Sequence, residues 1–192
     1  MIWKSIFSRI PRDDTPYTLY GALVRQARSP EFYLNMSVPD TAEGRFEMVA
    51  LHTILVLRRL RAGGEPGKAL GQKLFDVLFD DMDQTLREMG VGDLSVGKKI
   101  KALASSFYGR IDAYERGLRE PAGDGLEAAI RRNVFSAPDV PAPHVAALAD
   151  YVRRLDAGLL VQPVEYIMAG RVTFPAPPDG TPVVAADLSG EA

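Results

Sequence analysis

The chain has 192 residues, a formal net charge of -2 and no cysteine. This length fits one domain, or one domain with appendages, and the lack of cysteine excludes disulfides, thiolate catalysis and thiolate metal sites. With two histidines, His52 and His144, a multi-histidine metal or haem site is not expected. The charge balance does not indicate a DNA-binding domain, and no apolar run approaches the ~20 residues that span a bilayer.

The first segment, residues 1–12, is predicted to be an amphipathic helix that ends at Pro11. Its apolar side chains recur on one helical face, and Lys, Ser and Arg occupy the other. Two interpretations remain open: the helix lies on a membrane surface, or it packs on the body of the domain. The candidate membrane-contacting residues are Ile2, Trp3, Ile6 and Phe7.

Two helices are expected next. Thr15 followed by Pro16 predicts a helix start with Thr15 as N-cap, and this helix runs to about Arg28. Ser29 followed by Pro30 repeats the signal and predicts a short helix over residues 30–36.

A central helix is predicted over residues 41–62. Asp40 and Glu43 have the spacing of a capping box at its start. The helix is apolar nearly all round, which is typical of a helix buried by its neighbours. His52 lies on it and is expected to be a core residue whose ring nitrogens are both hydrogen-bonded.

Two further long helices are predicted over residues 66–89 and 94–119, and short connections favour antiparallel packing. Shorter helices follow near 125–135 and 143–160. The sequence therefore predicts an all-α protein, with one helical domain of about six to seven helices over residues 13–160 and three long central antiparallel helices.

The C-terminal segment, residues 161–192, is predicted to be extended or partly disordered. Residues 164–174 are expected either to pair as a strand or to lie extended across the helices. Residues 175–192 are rich in Pro, Gly and Ala and offer little to bury, so a mobile tail is expected there.

An aspartate stripe is the main candidate for catalysis. Asp76, Asp80 and Asp83 fall on one face of the second long helix, and carboxylates on one face can bind Mg²⁺. One alternative function is therefore a Mg²⁺-dependent isoprenoid-binding enzyme. The other interpretation is a solvated acidic face in which Arg87 pairs with Asp83 at i+4. No complete catalytic or metal-binding motif is present, so an enzyme is not expected.

Several short pieces, in this order and spacing, resemble the ubiquinol–cytochrome c chaperone family over about residues 17–118. The pieces are Tyr20-Gly21, Gln26-Ala27-Arg28, Phe32-Tyr33, Pro39-Asp40-Thr41, Gly44-Arg45-Phe46-Glu47, Leu51-His52, Asp81-Met82-Asp83, Leu86-Arg87-Glu88-Met89-Gly90-Val91-Gly92-Asp93, Lys98-Lys99 and Phe107-Tyr108-Gly109-Arg110.

The resemblance implies a non-enzymatic chaperone, without a cofactor, that binds newly made cytochrome b and promotes assembly of respiratory complex III. It implies that mitochondrial members work with a small partner subunit and contact the ribosome. No convincing transit peptide is visible, so the chain resembles a bacterial member. The protein is expected to act at the cytoplasmic face of the bacterial inner membrane, or at the matrix side of the mitochondrial inner membrane in a eukaryote. A peripheral membrane scaffold without a chaperone role is a further alternative.

Two sets of residues are predicted to act in this role. Flexible Met and aromatic side chains, including Met36, are expected to line a groove for the bound protein. A buried ion-pair network between the two central helices is expected from five polar residues of the recognised pieces, Asp40, Arg45, Asp83, Arg87 and Glu88. For both sets, ordinary packing or fixing of helix register is the alternative. The partner-binding candidates are Phe32, Tyr33, Asp40, Arg45, Phe46, Met82, Asp83, Arg87, Glu88 and Met89.

Overall fold

The computed structural model describes residues 13–120, 123–135 and 139–179. These residues form helices and connections, with no strand among them, so the all-α class is confirmed. A 3₁₀ turn, Arg61–Gly63, links the third and fourth helices, and a π-helical segment, Arg131–Phe135, extends the sixth. The α-helices are α1 (Thr15–Ala27), α2 (Pro30–Leu34), α3 (Ala42–Leu60), α4 (Gly64–Glu88), α5 (Asp93–Arg119), α6 (Gly125–Ile130), α7 (Ala142–Val161) and α8 (Val164–Met168).

Helix α3 lies at the centre of the domain. Every residue from Phe46 to Val56 is buried, because α1, α4, α7 and the end of α6 all pack against it. This arrangement explains why its sequence is apolar nearly all round. Within the described residues, no helix has both the length and the apolar character needed to cross a membrane.

Of the three long helices, α4 runs antiparallel to α3, and α5 runs antiparallel to α4. Gly67 at the start of α4 faces Leu60 at the end of α3, and a Cβ at Gly67 would lie 2.1 Å from the Leu60 carbonyl oxygen. Only glycine permits so close an approach of the two backbones. On the other side of α4, Phe79 packs edge-on against Phe107 of α5 at 5.9 Å between ring centroids.

Two predicted helix caps were wrong. The N-cap of α1 is Asp14, and Thr15 is already helical. At the start of α3 the cap is Thr41, whose hydroxyl oxygen accepts the Gly44 N–H at 3.1 Å. Asp40 does not cap this helix, because its carboxylate accepts a hydrogen bond from Arg45 instead.

The C-terminal region forms one more helix and an extended segment. The predicted strand was wrong over Val164–Met168, which is α8. Residues 171–179 lie extended across the helices, and we call them the strap. The side-chain amide of Gln162 bonds both the N–H and the carbonyl oxygen of Thr173 at 2.9 Å. Residues 180–192 of the predicted tail lie outside the described residues.

A buried chain of hydrogen bonds joins α1, α3 and α7. The His52 Nδ1–H donates to the Met48 carbonyl oxygen at 2.7 Å, so Nε2 accepts from the Tyr151 hydroxyl, also at 2.7 Å. The Gln26 amide in turn donates to the Tyr151 oxygen and to the carbonyl oxygen of Pro175 in the strap. His52 is therefore a fully bonded core residue, as predicted.

This arrangement makes stability depend on pH. Burial lowers the pKa of His52 from 6.5 to about 4, because a charged ring is disfavoured there. The unfolded chain therefore binds more protons at intermediate pH, and the stabilisation present above pH 6.5 is lost as the pH falls toward 4. We expect His52 to contribute about 3 kcal/mol to this loss.

The check is urea unfolding over this pH range for the wild type and a His52→Gln variant. Carboxylates titrate in both proteins, so the difference between their pH profiles isolates His52. Parallel profiles would contradict the assignment of a neutral, buried imidazole.

Candidate functional site

The described residues form an open groove of about 1030 Å³. It lies between the first turns of α3, the second half of α4, the middle of α5 and the π-helical end of α6, and we call it the groove. Its size is that of a ligand-binding cleft. The larger apolar side chains that line it include Phe46, Val49, Met82, Leu86, Met89, Val91, Leu103, Val134 and Phe135.

One wall of the groove depends on Gly44. A Cβ at this position would lie 2.0 Å from the carbonyl oxygen of Pro39, so only glycine lets the preceding segment fold back against the first turn of α3. The Thr41 cap holds the same turn. Together these contacts place residues 39–42 along the groove, which gives Gly44 of the recognised Gly44-Arg45-Phe46-Glu47 piece a physical role.

An ion pair between α3 and α5 lies in the groove. Arg110 donates from Nε to Glu47 Oε2 at 2.7 Å and makes a second bond to Oε1 through Nη2. The two side chains are 16% and 9% exposed, so the pair is largely removed from water. Burial raises the pKa of Glu47 although Arg110 opposes the shift, and the bond to Glu47 raises the pKa of Arg110. The pair thus ties two walls of the groove together.

A second polar link closes the groove on the α1 side. The Tyr20 hydroxyl donates to Asp81 at 2.7 Å and so joins α1 to α4. Burial and this bond to a carboxylate both raise the pKa of Tyr20, so the phenol remains neutral and continues to donate.

The rim of the groove carries charge exposed to solvent. Asp40 and Arg45 form an exposed pair at 2.6 Å. Within the described part of the chain, no ion pair is formed by Arg28, Lys99 or Glu43, which also line the groove. The groove therefore has an apolar wall and a rim of mixed charge.

Five of the predicted partner-binding residues line the groove, namely Asp40, Arg45, Phe46, Met82 and Met89. The other predicted liners lie elsewhere. Phe32 and Met36 are fully buried, and the Phe32 ring packs edge-on against Tyr151. Tyr33 donates its hydroxyl to the Ala27 carbonyl oxygen and lines a smaller neighbouring pocket.

The predicted buried network of Asp40, Arg45, Asp83, Arg87 and Glu88 was wrong. Arg87 bonds Asp83 on its own helix and Asp93 at the start of α5, and Gln84 donates to Glu88. The Arg87–Asp83 and Gln84–Glu88 contacts join residues four apart on α4, the Arg87–Asp93 contact joins α4 to α5, and all three are exposed. They do not reach the exposed Asp40–Arg45 pair. The buried ion pair is Glu47–Arg110 instead. The sequence feature that indicates it is an acidic residue, Glu47, within an apolar stretch.

The aspartate stripe does not assemble a site. Asp76 accepts a hydrogen bond from Gln72, and Asp83 bonds Arg87. Among residues 13–120, 123–135 and 139–179, no group of three or more His, Asp or Glu side chains is placed to hold a metal ion. The predicted membrane-contacting residues Ile2, Trp3, Ile6 and Phe7 lie outside the described residues.

The described residues form an all-α domain with an open, mostly apolar groove. Residues 34–174 match the family model described as Ubiquinol-cytochrome C chaperone. The chain therefore belongs to this family, and the resemblance read from the sequence is confirmed.

Relatives and a solved structure agree with this assignment. The chain is 29% identical over 136 residues to ubiquinol-cytochrome c reductase complex assembly factor 1 of Homo sapiens, which covers 71% of this chain and 45% of that protein. The Mus musculus protein of the same name is 28% identical over 136 residues, or 71% of this chain and 46% of that protein. The chain thus spans about half the length of these relatives. The crystal structure of the Cbp3 homolog from Brucella abortus matches with a TM-score of 0.77 and 36% identity over 84% of this chain and 89% of that one.

Proposed function

We propose that this chain is an assembly chaperone of ubiquinol–cytochrome c reductase, respiratory complex III, and that it holds a segment of newly made cytochrome b in the groove. The groove between α3, α4 and α5 is the observation that carries the proposal. The family, and the assembly-factor names of the relatives, support the link to complex III.

The chemistry of the groove suits a helical segment with an apolar face. An α-helix with side chains is about 10 Å wide, and a groove lined by apolar side chains is one of the common ways to bind an amphipathic helix. Met82 and Met89 are flexible and polarisable, so they adapt to segments of different shape. Cytochrome b is a polytopic membrane protein, and its unassembled segments need shielding from water.

We call the bound segment of cytochrome b the client. The polar residues hold the groove open and do not themselves bind the client. Glu47 with Arg110 and Tyr20 with Asp81 tie α3 to α5 and α1 to α4. These links keep the apolar wall accessible when no client is present. The role needs no reaction at the site, so we propose a non-enzymatic protein without a cofactor.

The proposed place of action follows from the client. Cytochrome b enters the membrane as it is made, so a chaperone of its segments works at the membrane surface. For a bacterial member this is the cytoplasmic face of the inner membrane, in reach of the ribosome. Contact through residues 1–12 remains part of this proposal.

Photo-crosslinking in cells tests the client site. A benzophenone amino acid replaces Met89 in the groove or, as a control, Leu160 at the end of α7. The two side chains are 60% and 55% exposed, so they are equally available to solvent. We expect a cytochrome b adduct from position 89 and little or none from position 160. Equal adducts from both positions, or an adduct only from 160, would place the client elsewhere.

A further inference from the structure

One face of α5 carries exposed apolar and basic side chains together. Leu94, Lys98, Lys101, Ser105 and Tyr108 are all exposed, and we call these five residues the α5 stripe. Successive members are three or four residues apart, so they lie on one side of the helix. Leu94 is 91% exposed and Tyr108 is 63% exposed. A lone exposed leucine is ordinary on a protein surface, but this one shares its face with two lysines and a tyrosine.

The positive charge of the stripe is not neutralised by the rest of the described chain. Residues 94–111 contain four Lys or Arg and no Asp or Glu. Lys98, Lys99 and Lys101 form no ion pair among residues 13–120, 123–135 and 139–179. Two of these three ammonium groups belong to the stripe, which therefore presents a local excess of positive charge to solvent.

The acids at the two ends of this stretch are already occupied. Asp93, at the start of α5, forms an ion pair with Arg87 of α4. Asp112, which follows the stretch, pairs with Arg116 one turn further along α5 at 3.6 Å. Neither carboxylate is thus bonded to the lysines of the stripe, so a negatively charged partner meets little competition there.

The chemistry of the stripe favours an anionic lipid surface over a nucleic acid. Such a membrane surface attracts Lys and Arg by its negative potential, and its boundary between headgroups and acyl chains takes up exposed apolar side chains. Tyrosine is enriched at the same depth. The phosphates of a nucleic acid would also attract the lysines, but they offer no apolar environment to Leu94.

The stripe adjoins the part of α5 that lines the groove. Lys99, Ala102 and Ser106 line the groove, and at 3.6 residues per turn they lie about 80° to 140° around the helix from Leu94. A membrane that contacts the stripe therefore lies beside this wall of the groove.

From these observations we propose that the α5 stripe binds the surface of a membrane that contains anionic lipid. Leu94 enters the boundary between headgroups and acyl chains, and Lys98 and Lys101 contact lipid phosphates. The bound molecule then holds its groove next to the membrane into which the client is inserted. This consequence for the client rests on the proposed function, whereas lipid binding by the stripe needs no client. The surface is additional to the proposed contact through residues 1–12.

Vesicle flotation with the full chain tests the lysines. The vesicles contain equal parts of phosphatidylglycerol and phosphatidylcholine, and the variant is Lys98→Gln/Lys101→Gln. The matched control, Arg25→Gln/Arg154→Gln, changes the net charge equally. Its two exposed arginines lie on α1 and α7 and form no ion pair among the described residues either.

We expect the lysine variant to bind these vesicles at least tenfold more weakly than the wild type, given the usual contribution of a lysine near an anionic surface. The control is expected to bind nearly as well as the wild type. On vesicles of phosphatidylcholine alone, the difference between the two variants is expected to disappear.

A second pair of variants tests the apolar contact. Leu94→Ser is expected to weaken binding to the anionic vesicles about fivefold, because part of a leucine side chain leaves the acyl boundary. Leu34→Ser on α2, which is 81% exposed in the wild type, is expected to have no effect. Both side chains are largely in solvent, so neither change disturbs the core.

Three results would overturn the proposal. The first is equal affinity of the two double variants for anionic vesicles, and the second is equal affinity of Leu94→Ser and Leu34→Ser. The third is binding of the wild type to single-stranded RNA through Lys98 and Lys101 without binding to vesicles, which would make a nucleic acid the partner of the stripe.

This proposal and the proposed function fail separately. The flotation experiment contains no cytochrome b, so a negative result leaves client capture at Met89 intact. Normal vesicle binding combined with no cytochrome b adduct from position 89 would remove the proposed client site and leave the lipid-binding surface.

Discussion

Replacing Arg110 with alanine is expected to lower the free energy of unfolding by about 3 to 5 kcal/mol. Glu47 is 9% exposed and takes two hydrogen bonds from Arg110, so the variant leaves a carboxyl group buried without its partner. Burial already raises the pKa of Glu47 in the presence of Arg110, and the variant removes the group that opposes this shift. Urea unfolding at neutral pH measures the change.

Two variants serve as controls for this prediction. Arg45→Ala removes an arginine from a similar pair, but the Asp40–Arg45 pair is exposed, and we expect a much smaller change. The double variant Glu47→Met/Arg110→Met removes both buried charges and is expected to recover most of the lost stability, since apolar replacements of buried pairs are often neutral. Equal losses for Arg110→Ala and Arg45→Ala would contradict the buried ion pair.

The double substitution Leu86→Asp/Met89→Asp is expected to abolish complex III assembly while the domain stays folded. Both side chains line the groove and neither is fully buried, so the carboxylates remain hydrated and the core is unchanged. An apolar client, however, would have to cover them, which is unfavourable for an unpaired charge. We expect complex III content to fall to the level of cells without the gene, as judged by native gels.

The control for the groove variant is Leu160→Asp/Val161→Asp. These residues form an exposed apolar pair at the end of α7, far along the chain from the groove. Assembly is expected to continue normally in this variant. If both double variants lose complex III, or if neither does, the groove is not the client site.

Most of the helical fold could be predicted from the sequence. Proline and glycine mark the ends of the long helices, and the apolar run on α3 indicated the central, buried helix. His52 was predicted as a bonded core residue because a lone histidine in such a run is rarely exposed. The terminal residues were less predictable: Asp40 and Thr41 are adjacent and both can cap a helix, so only the backbone decides between them.

The groove and the strap depend on contacts that no local pattern encodes. The residues that line the groove come from five separated stretches of chain, and the sequence alone placed Phe32 and Tyr33 there as readily as Met82 and Met89. The partners of charged residues were harder to predict than the apolar liners. Arg87, for example, bonds Asp83 on its own helix and not an acidic residue of α3. The strap is fixed by side-chain amides bonded to its backbone, which leaves no periodic signal.

If this chain is needed to assemble complex III, loss of its gene must reduce the amount of the complex. Complex III content and the membrane spectrum of b-type haem are compared in cells with and without its gene. We expect a selective loss of both, restored by the intact gene, while other respiratory complexes stay unchanged. Normal complex III and normal b-type haem in cells without the gene would contradict it.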